Sequence, residues 1–548
     1  MRRLALILCA VLALPLLGVL GAWFVPQDHS LELLRHQFTT VMPGYVLSSL
    51  WLALGVAVGV ALLGGATAAA VTLFDFPGRR LFEWALLLPL AMPAYVLAYA
   101  ATDFLQFSGP LQTLLRDLTG AQGPLWPDVR SLPGAIVLFT LALYPYVYLL
   151  TRSALIERGL HLMEAARLLG AGLGRRVREV ALPLARPALA AGVALALMET
   201  LADYGVGAYF GLATFTTGIY QAWLAMDDRI AAAQLATLLL AVVALLLWVE
   251  RRAQARLRFT GSRGGATGRE ARPVRLRGRH AALAVLLCAL PVLLGFVLPA
   301  AVLLHAVGRE AFFAGIDGAP AGMDGLRGLP WARFAGWAWT SLKLATLAAL
   351  AAVALALLLG FVLRTRASGA VRPLVRLVSL GYAVPGAVIA VGLLGPVGWM
   401  QAAAPGSALA GWVTTAVTGS LFGLLFAYLV RFSAVALQSV EAGYARIPVS
   451  LDDTARTLGA SDGRLFFGIH APLLSRSAIA AALLVFVDVM KELPATLVLR
   501  PFDSDTLAVV AYNLARDERL AEAALPSLAI VLAGLIPVVL LSRAMRGR

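Results

Sequence analysis

Glu164-Ala165-Ala166-Arg167-Leu168-Leu169-Gly170 is followed, after a basic stretch, by Leu182-Pro183-Leu184. Asp453-Thr454-Ala455-Arg456-Thr457-Leu458-Gly459 is followed in the same way by Ala471-Pro472-Leu473. The two stretches align without a gap at an offset of 289 residues, from 164 to 453 and from 183 to 472. The segment Leu162–Gly170 has good helix formers, and both stretches reach a glycine, which takes the left-handed conformation that ends a helix at little cost. The proline then suits the first turn of a further helix, where no amide hydrogen bond is lost. The expected structure is a stubby helix, a turn, and a longer helix rigidly joined to it. Small residues at Ala165 and Ala166, and at Thr454 and Ala455, permit close approach of another protein.

The surroundings of both stretches are very apolar. Of 548 residues 60% are hydrophobic and only 14% charged, against roughly a quarter charged in soluble domains. In a bilayer the backbone must satisfy itself within helices or a closed barrel. The apolar stretches run roughly 20 residues, the length of a helical span, and lack the alternation of barrel strands. The chain reads as an all-α polytopic membrane protein of twelve transmembrane helices. Their centres lie near Ala13, Val60, Ala91, Leu141, Val193 and Ala241, then near Leu293, Val353, Ile389, Phe422, Leu483 and Leu535. A basic start and apolar core could make the first span a signal peptide. Its Leu14-Pro15-Leu16-Leu17-Gly18 resembles Leu290-Pro291-Val292-Leu293-Leu294-Gly295, however, so it reads as a repeated structural helix.

The formal net charge of +15 follows from arginines in alternate loops, as the positive-inside rule requires, rather than from a nucleic-acid partner. Arg2 and Arg3, Arg79 and Arg80, and the Arg152–Arg186 segment fall on one side. So do the inter-repeat linker, the Arg364–Arg376 turn, and Arg543, Arg546 and Arg548. The intervening loops are mixed or acidic, with Asp227 and Asp228, then Asp503, Asp505, Asp517, Glu518 and Glu522. Both termini are thus expected in the cytoplasm. Cys9 and Cys288 lie in apolar spans and imply no disulfide framework.

Other landmarks repeat. Ser49-Leu50 matches Ser341-Leu342, and Pro93 matches Pro385, both at an offset of 292. The chain divides into a first half, residues 1–250, and a second half, residues 281–548, each with six spans in parallel orientation. Residues 251–280 are rich in Arg and Gly and read as a flexible cytoplasmic tether, with a lipid-headgroup contact as the other option.

The doubled segments, 164–184 and 453–473, resemble the EAA loop of permeases in binding-protein-dependent ABC importers. The resemblance implies a type I importer permease fold, both halves fused in one chain. It assigns ATPase coupling to Glu164, Ala165, Ala166, Gly170 and Pro183, and to Asp453, Thr454, Ala455, Gly459 and Pro472. The second copy departs from the pattern by carrying Asp453 for Glu and Thr454 for Ala. A Walker A loop needs Gly-x-x-x-x-Gly-Lys-Ser/Thr, but the two lysines, Lys343 and Lys491, are followed by Leu344 and Glu492. The chain is therefore no enzyme and binds no cofactor of its own. ATP and Mg would belong to a separate ATPase, present as a dimer with one copy under each loop.

Beyond each loop the fifth span carries acids in corresponding places. Glu199 and Asp203 match Asp488 and Glu492, again at an offset of 289. The i, i+4 spacing would put both carboxylates on one helix face. From a start near Pro187, Glu199 lies about 18 Å along the helix, inside the hydrocarbon. One reading makes these acids oxygen ligands along a cation pathway, with Tyr204 adding a phenol. The other has them paired with Lys491 or set at the outer mouth. Glu199-Thr200-Leu201-Ala202-Asp203-Tyr204-Gly205 and Met490-Lys491-Glu492-Leu493-Pro494-Ala495-Thr496 are similar to fused ferric-iron permeases. That resemblance implies an inner-membrane protein moving ferric iron delivered by a periplasmic or lipid-anchored iron-binding protein. Fused relatives for thiamine, phosphonates and polyamines share the architecture, and a gradient-driven secondary transporter is the rival from another class.

Overall fold

The helix Met42–Leu73 shows how the sequence builds this protein. It is apolar all round, and its two faces do different work. Tyr45, Ser49, Leu52, Val56 and Val60 are buried, whereas Leu50, Leu54, Val58 and Leu62 point outward. An outward leucine face has no place in water and is the ordinary solution in lipid. Gly55 and Gly59, spaced i, i+4, let the helix Leu132–Ala154 approach closely. A Cβ on Gly55 would sit 2.6 Å from the Ile136 side chain, and one on Gly59 2.3 Å from that of Thr140. Small residues spaced in this way are how helices pack where lipid removes the usual hydrophobic drive.

This computed structural model describes residues 2–24, 39–40, 42–156, 160–259, 273–316, 331–366, 369 and 371–546. Among the described residues eleven helices are long and apolar enough to cross a membrane, or twelve with one bent pair taken as a span. The bent pair is the third span. Helix Arg79–Ala91 and helix Ala94–Thr119 meet at 92°, so Ala91 marks a break rather than a centre. The cause is local: Met92 precedes a proline and is extended, with ψ 110, and Pro93 at ψ 142 opens the next helix. The matched Pro385 does the same at ψ 141 ahead of Gly386–Ala403. Phe422 likewise opens the helix Leu421–Tyr444 instead of lying mid-span.

The matched serines also share a task. The Phe215 amide donates to Ser49 Oγ at 3.2 Å, and the Leu507 amide to Ser341 Oγ at 2.8 Å. Each serine accepts from an otherwise orphan donor at the start of a short helix.

The chain condenses into two compact units that cut across the sequence halves. One comprises residues 1–33, 218–240 and 330–513; the other comprises 34–217, 241–329 and 514–548. The opening helix of each repeat is thus built into a unit with the body of the other repeat. In the first unit, Arg2–Gly21 crosses Gly386–Ala403 so tightly that a Cβ on Gly18 would lie 2.1 Å from the Gly392 carbonyl oxygen. In the second, a Cβ on Gly295 would meet the Leu141 carbonyl oxygen at 3.0 Å and the Pro89 ring at 3.2 Å. Cys9 and Cys288 are buried and unbridged. The described ends of the linker are ordered: helix Arg229–Phe259 continues into it, and Val274–Arg275 pairs in parallel with Phe74–Asp75. The stretch between lies outside the described residues.

Candidate functional site

Both doubled stretches fold alike, each within its own unit. The helices Leu160–Leu168 and Val449–Thr457 are the expected stubby helices. Both end in the same capping pattern. The Gly170 amide donates to the Arg167 carbonyl and the Ala171 amide to the Ala166 carbonyl, both at 3.0 Å. In the second copy Gly459 donates to Arg456 and Ala460 to Ala455, both at 2.9 Å. This closure requires a left-handed residue, and Gly170 and Gly459 have φ 81 and 79.

Pro183 and Pro472 lie in the first turn of the α-helices Leu182–Ala202 and Ala471–Met490, as expected, but neither helix starts from a loop. The helix running to Ala202 already begins at Gly174, and the one running to Met490 begins at Asp462. Each contains a π-helical turn, Val177–Ala181 and Phe466–His470, directly before the residue pair that includes Pro183 or Pro472. The proline therefore sits inside a continuous helix. The wider turn ahead of it shifts the hydrogen-bond ladder, so the missing N–H costs little there.

Glu164 and Ala165 are exposed, as are Asp453 and Thr454. Ala166 is half-buried, and Ala455 is buried against Phe361 and Leu465, so its smallness serves the protein's own core. Beside the glycine of each copy stands a leucine that the sequence reading passed over. Leu169 is 88% exposed and Leu458 80% exposed. They occupy matched positions and place an apolar group at the tip of each turn; in the first copy Leu168, matched by Thr457, is 85% exposed as well.

The matched acids behave as two kinds of residue. Glu199 lies in the last turn of Leu182–Ala202, half-buried. Asp488 is also within its helix and pairs with Lys491 at 2.9 Å, the second of the two readings. Asp203 and Glu492 fall beyond the helix ends, because the helices stop at Ala202 and Met490. A common helix face for each pair is therefore overturned. Instead, each second acid caps the short helix that follows it. Asp203 Oδ1 accepts the Val206 amide at 2.8 Å; Glu492 accepts the Ala495 and Thr496 amides at 2.8 and 3.0 Å. A carboxylate at this place answers free N–H groups and the positive end of the helix.

Glu492 carries more than a cap. Arg431 Nη1 donates to its Oε1 at 3.2 Å, the Thr496 hydroxyl donates to its Oε2 at 2.5 Å, and Tyr428 lies 2.7 Å from that hydroxyl. With its side chain 1% exposed, Glu492 is a fully committed structural anion. Its Arg431 partner was not visible in the sequence reading, since an arginine inside an apolar span has no periodic signal to single it out. Among the described residues no three His, Cys, Asp or Glu side chains gather as a metal-binding group.

A family model described as a binding-protein-dependent transport system inner membrane component matches residues 61–259 and 352–547. The Fe(3+)-transport system permease protein of Haemophilus influenzae is 25% identical over 544 residues, covering 97% of this chain and 96% of that protein. A putative 2-aminoethylphosphonate transport system permease protein of Salmonella choleraesuis is 29% identical over 33% of this chain and 64% of its own length. The molybdenum transport system permease protein of Escherichia coli is 31% identical over 24% of this chain and 55% of its own.

Proposed function

Because this chain belongs to the family of binding-protein-dependent transport system inner membrane components, and is thus the permease component of an ABC importer, we propose that its cargo is ferric iron. The observation that carries the cargo is the similarity, nearly end to end, to an Fe(3+)-transport permease. The phosphonate and molybdenum relatives align over a third of the chain or less. A periplasmic or lipid-anchored protein delivers the iron, and a dimer of ABC ATPases in the cytoplasm, holding ATP and Mg, supplies the work. The chain lies in the inner membrane with both termini cytoplasmic.

The ATPases dock on the two short helices, through Glu164, Ala165, Ala166, Gly170 and Pro183, and through Asp453, Thr454, Ala455, Gly459 and Pro472. Exposed Leu169 and Leu458 support this reading, since a leucine held in water at both matched tips suits a partner's apolar pocket. Glu199 and Asp488 are the acids left within their helices for the iron pathway; Asp203 and Glu492 shape its walls by fixing the short helices.

Proteoliposomes carrying the permease, its ATPase and an iron-loaded binding protein test the cargo. Radioactive ferric iron should accumulate only with internal ATP. Accumulation of molybdate or aminoethylphosphonate instead would assign an oxyanion cargo, and uptake driven by a proton gradient without ATP would overturn the proposed ATP-driven uptake. Glu199→Gln combined with Asp488→Asn should lower iron uptake severalfold; full uptake would remove both acids from the pathway.

A further inference from the structure

The ground beneath the two short helices can be compared position by position, and it differs in kind. In the second repeat Asp452 of Val449–Thr457 is buried and bound on both sides. Arg364 Nε donates to Asp452 Oδ2 at 2.8 Å, and His470 Nε2 lies 2.9 Å from Asp452 Oδ1. Arg364 also donates to the Ile447 carbonyl at 2.9 Å. His470 is 0% exposed, with Tyr444 OH 3.4 Å from its Nδ1 and the Phe361 ring 5.5 Å away. A neutral imidazole with its proton on Nε2 satisfies every one of these contacts: it donates to the carboxylate and accepts from the phenol. Arg364 belongs to the helix Trp331–Arg366, and His470 leads directly into Ala471–Met490. Asp452 thus ties the short helix to two long ones.

The first repeat has none of these four side chains. Thr72 stands at the position of Arg364, at the offset of 292, while Leu155, Met163 and Ala181 stand for Tyr444, Asp452 and His470 at 289. Leu155, Met163 and Ala181 pack together with Leu73 and Ala185 as an apolar cluster. Apolar contact is non-directional, and methionine adapts its shape. A charged hydrogen bond has a fixed length and angle, and in a buried place losing it exposes a desolvated charge.

We propose that the two coupling helices are mechanically unequal, with Asp452 and His470 acting as positioning residues. They lock the second helix to Trp331–Arg366 and Ala471–Met490, whereas the first helix rides on Met163 and yields. Motion received by the second helix passes to its spans as a rigid body; motion received by the first is partly absorbed. This rests on the docking reading above, and the test separates the two.

In the full chain in lipid nanodiscs, amide hydrogen exchange across 449–457 should be about tenfold slower than across 160–168. Asp452→Met with His470→Ala, which installs the first repeat's residues, should erase that difference, and His470→Gln alone should retain most of it. Equal exchange in the native chain, or exchange indifferent to the double variant, overturns the lock. In the complex, the double variant should still cross-link to the ATPase through Asp453→Cys. Its stimulation of ATP hydrolysis should fall about fivefold, with His470→Gln close to native. Unchanged stimulation overturns the positioning role. Failure of both Glu164→Cys and Asp453→Cys to reach the ATPase sinks the docking reading instead, while the exchange result stands on its own.

Discussion

Arg431 and Glu492 form an ion pair with almost no access to solvent. Such a pair adds little to stability compared with an apolar replacement, but breaking it is costly, since the surviving charge stays buried. Glu492→Ala should destabilise the protein by about 3–5 kcal/mol, seen as a lower midpoint of thermal unfolding. Replacing both residues by methionine should cost less than removing the acid alone, and a double variant worse than either single one would refute this account. Asp452 gives a prediction in pH. Burial pushes its carboxyl upward, but hydrogen bonds from Arg364 and His470 and the charge of Arg364 pull harder, and the net shift is downward. Its folded value therefore lies below its unfolded one. The stability it contributes is complete above the ordinary carboxylate value, about 3.9, and is lost as pH falls through the lower folded value. Arg364, His470 and Tyr444 are the groups facing it. Acid below about pH 4 should lower the unfolding midpoint of the native chain, and Asp452→Asn should remove that part of the acid dependence.

At the scale of the element, the short helix and its glycine turn act as one piece. Gly170 and Gly459 hold φ 81 and 79, with open space where a Cβ would go. The cost of replacing them is therefore backbone strain alone, about 1–2 kcal/mol for an alanine in the left-handed region. Gly170→Ala and Gly459→Ala should each lower the unfolding midpoint modestly. Each should weaken ATPase docking more than it weakens folding, because the turn aims Leu169 and Leu458. Measured affinity for the ATPase checks this; unchanged affinity in both variants would detach the turn from docking.

At the scale of the molecule, each unit depends on a helix contributed by the other repeat. A bulky residue at Gly18 should open the crossing with Gly386–Ala403 and leave the other unit intact. Gly18→Leu should speed hydrogen exchange in 386–403 with little change in 132–154. Gly295→Leu should do the reverse, loosening the contact with Pro89 and Leu141. Loosening of both regions by either variant would mean that the two units do not open independently.

Much of this was legible in the residues alone. Twelve apolar stretches, two copies of a helix–glycine–proline signature, and the matched serines and prolines all depend on local rules: span length, left-handed glycine, and the conformation forced beside proline. Those rules act over a few residues, so a sequence displays them. Glu492 and Asp203 resisted the same treatment. Spacing i, i+4 promises a shared face only while the helix lasts, and these helices end just before the second acid. The buried partners of Asp452 and Glu492, the exchange of opening helices between repeats, and the inward turn of Ala455 depend on which surfaces meet across hundreds of residues. Such meetings are fixed by close packing and by the need to satisfy every buried charge, which local sequence does not encode in any readable pattern.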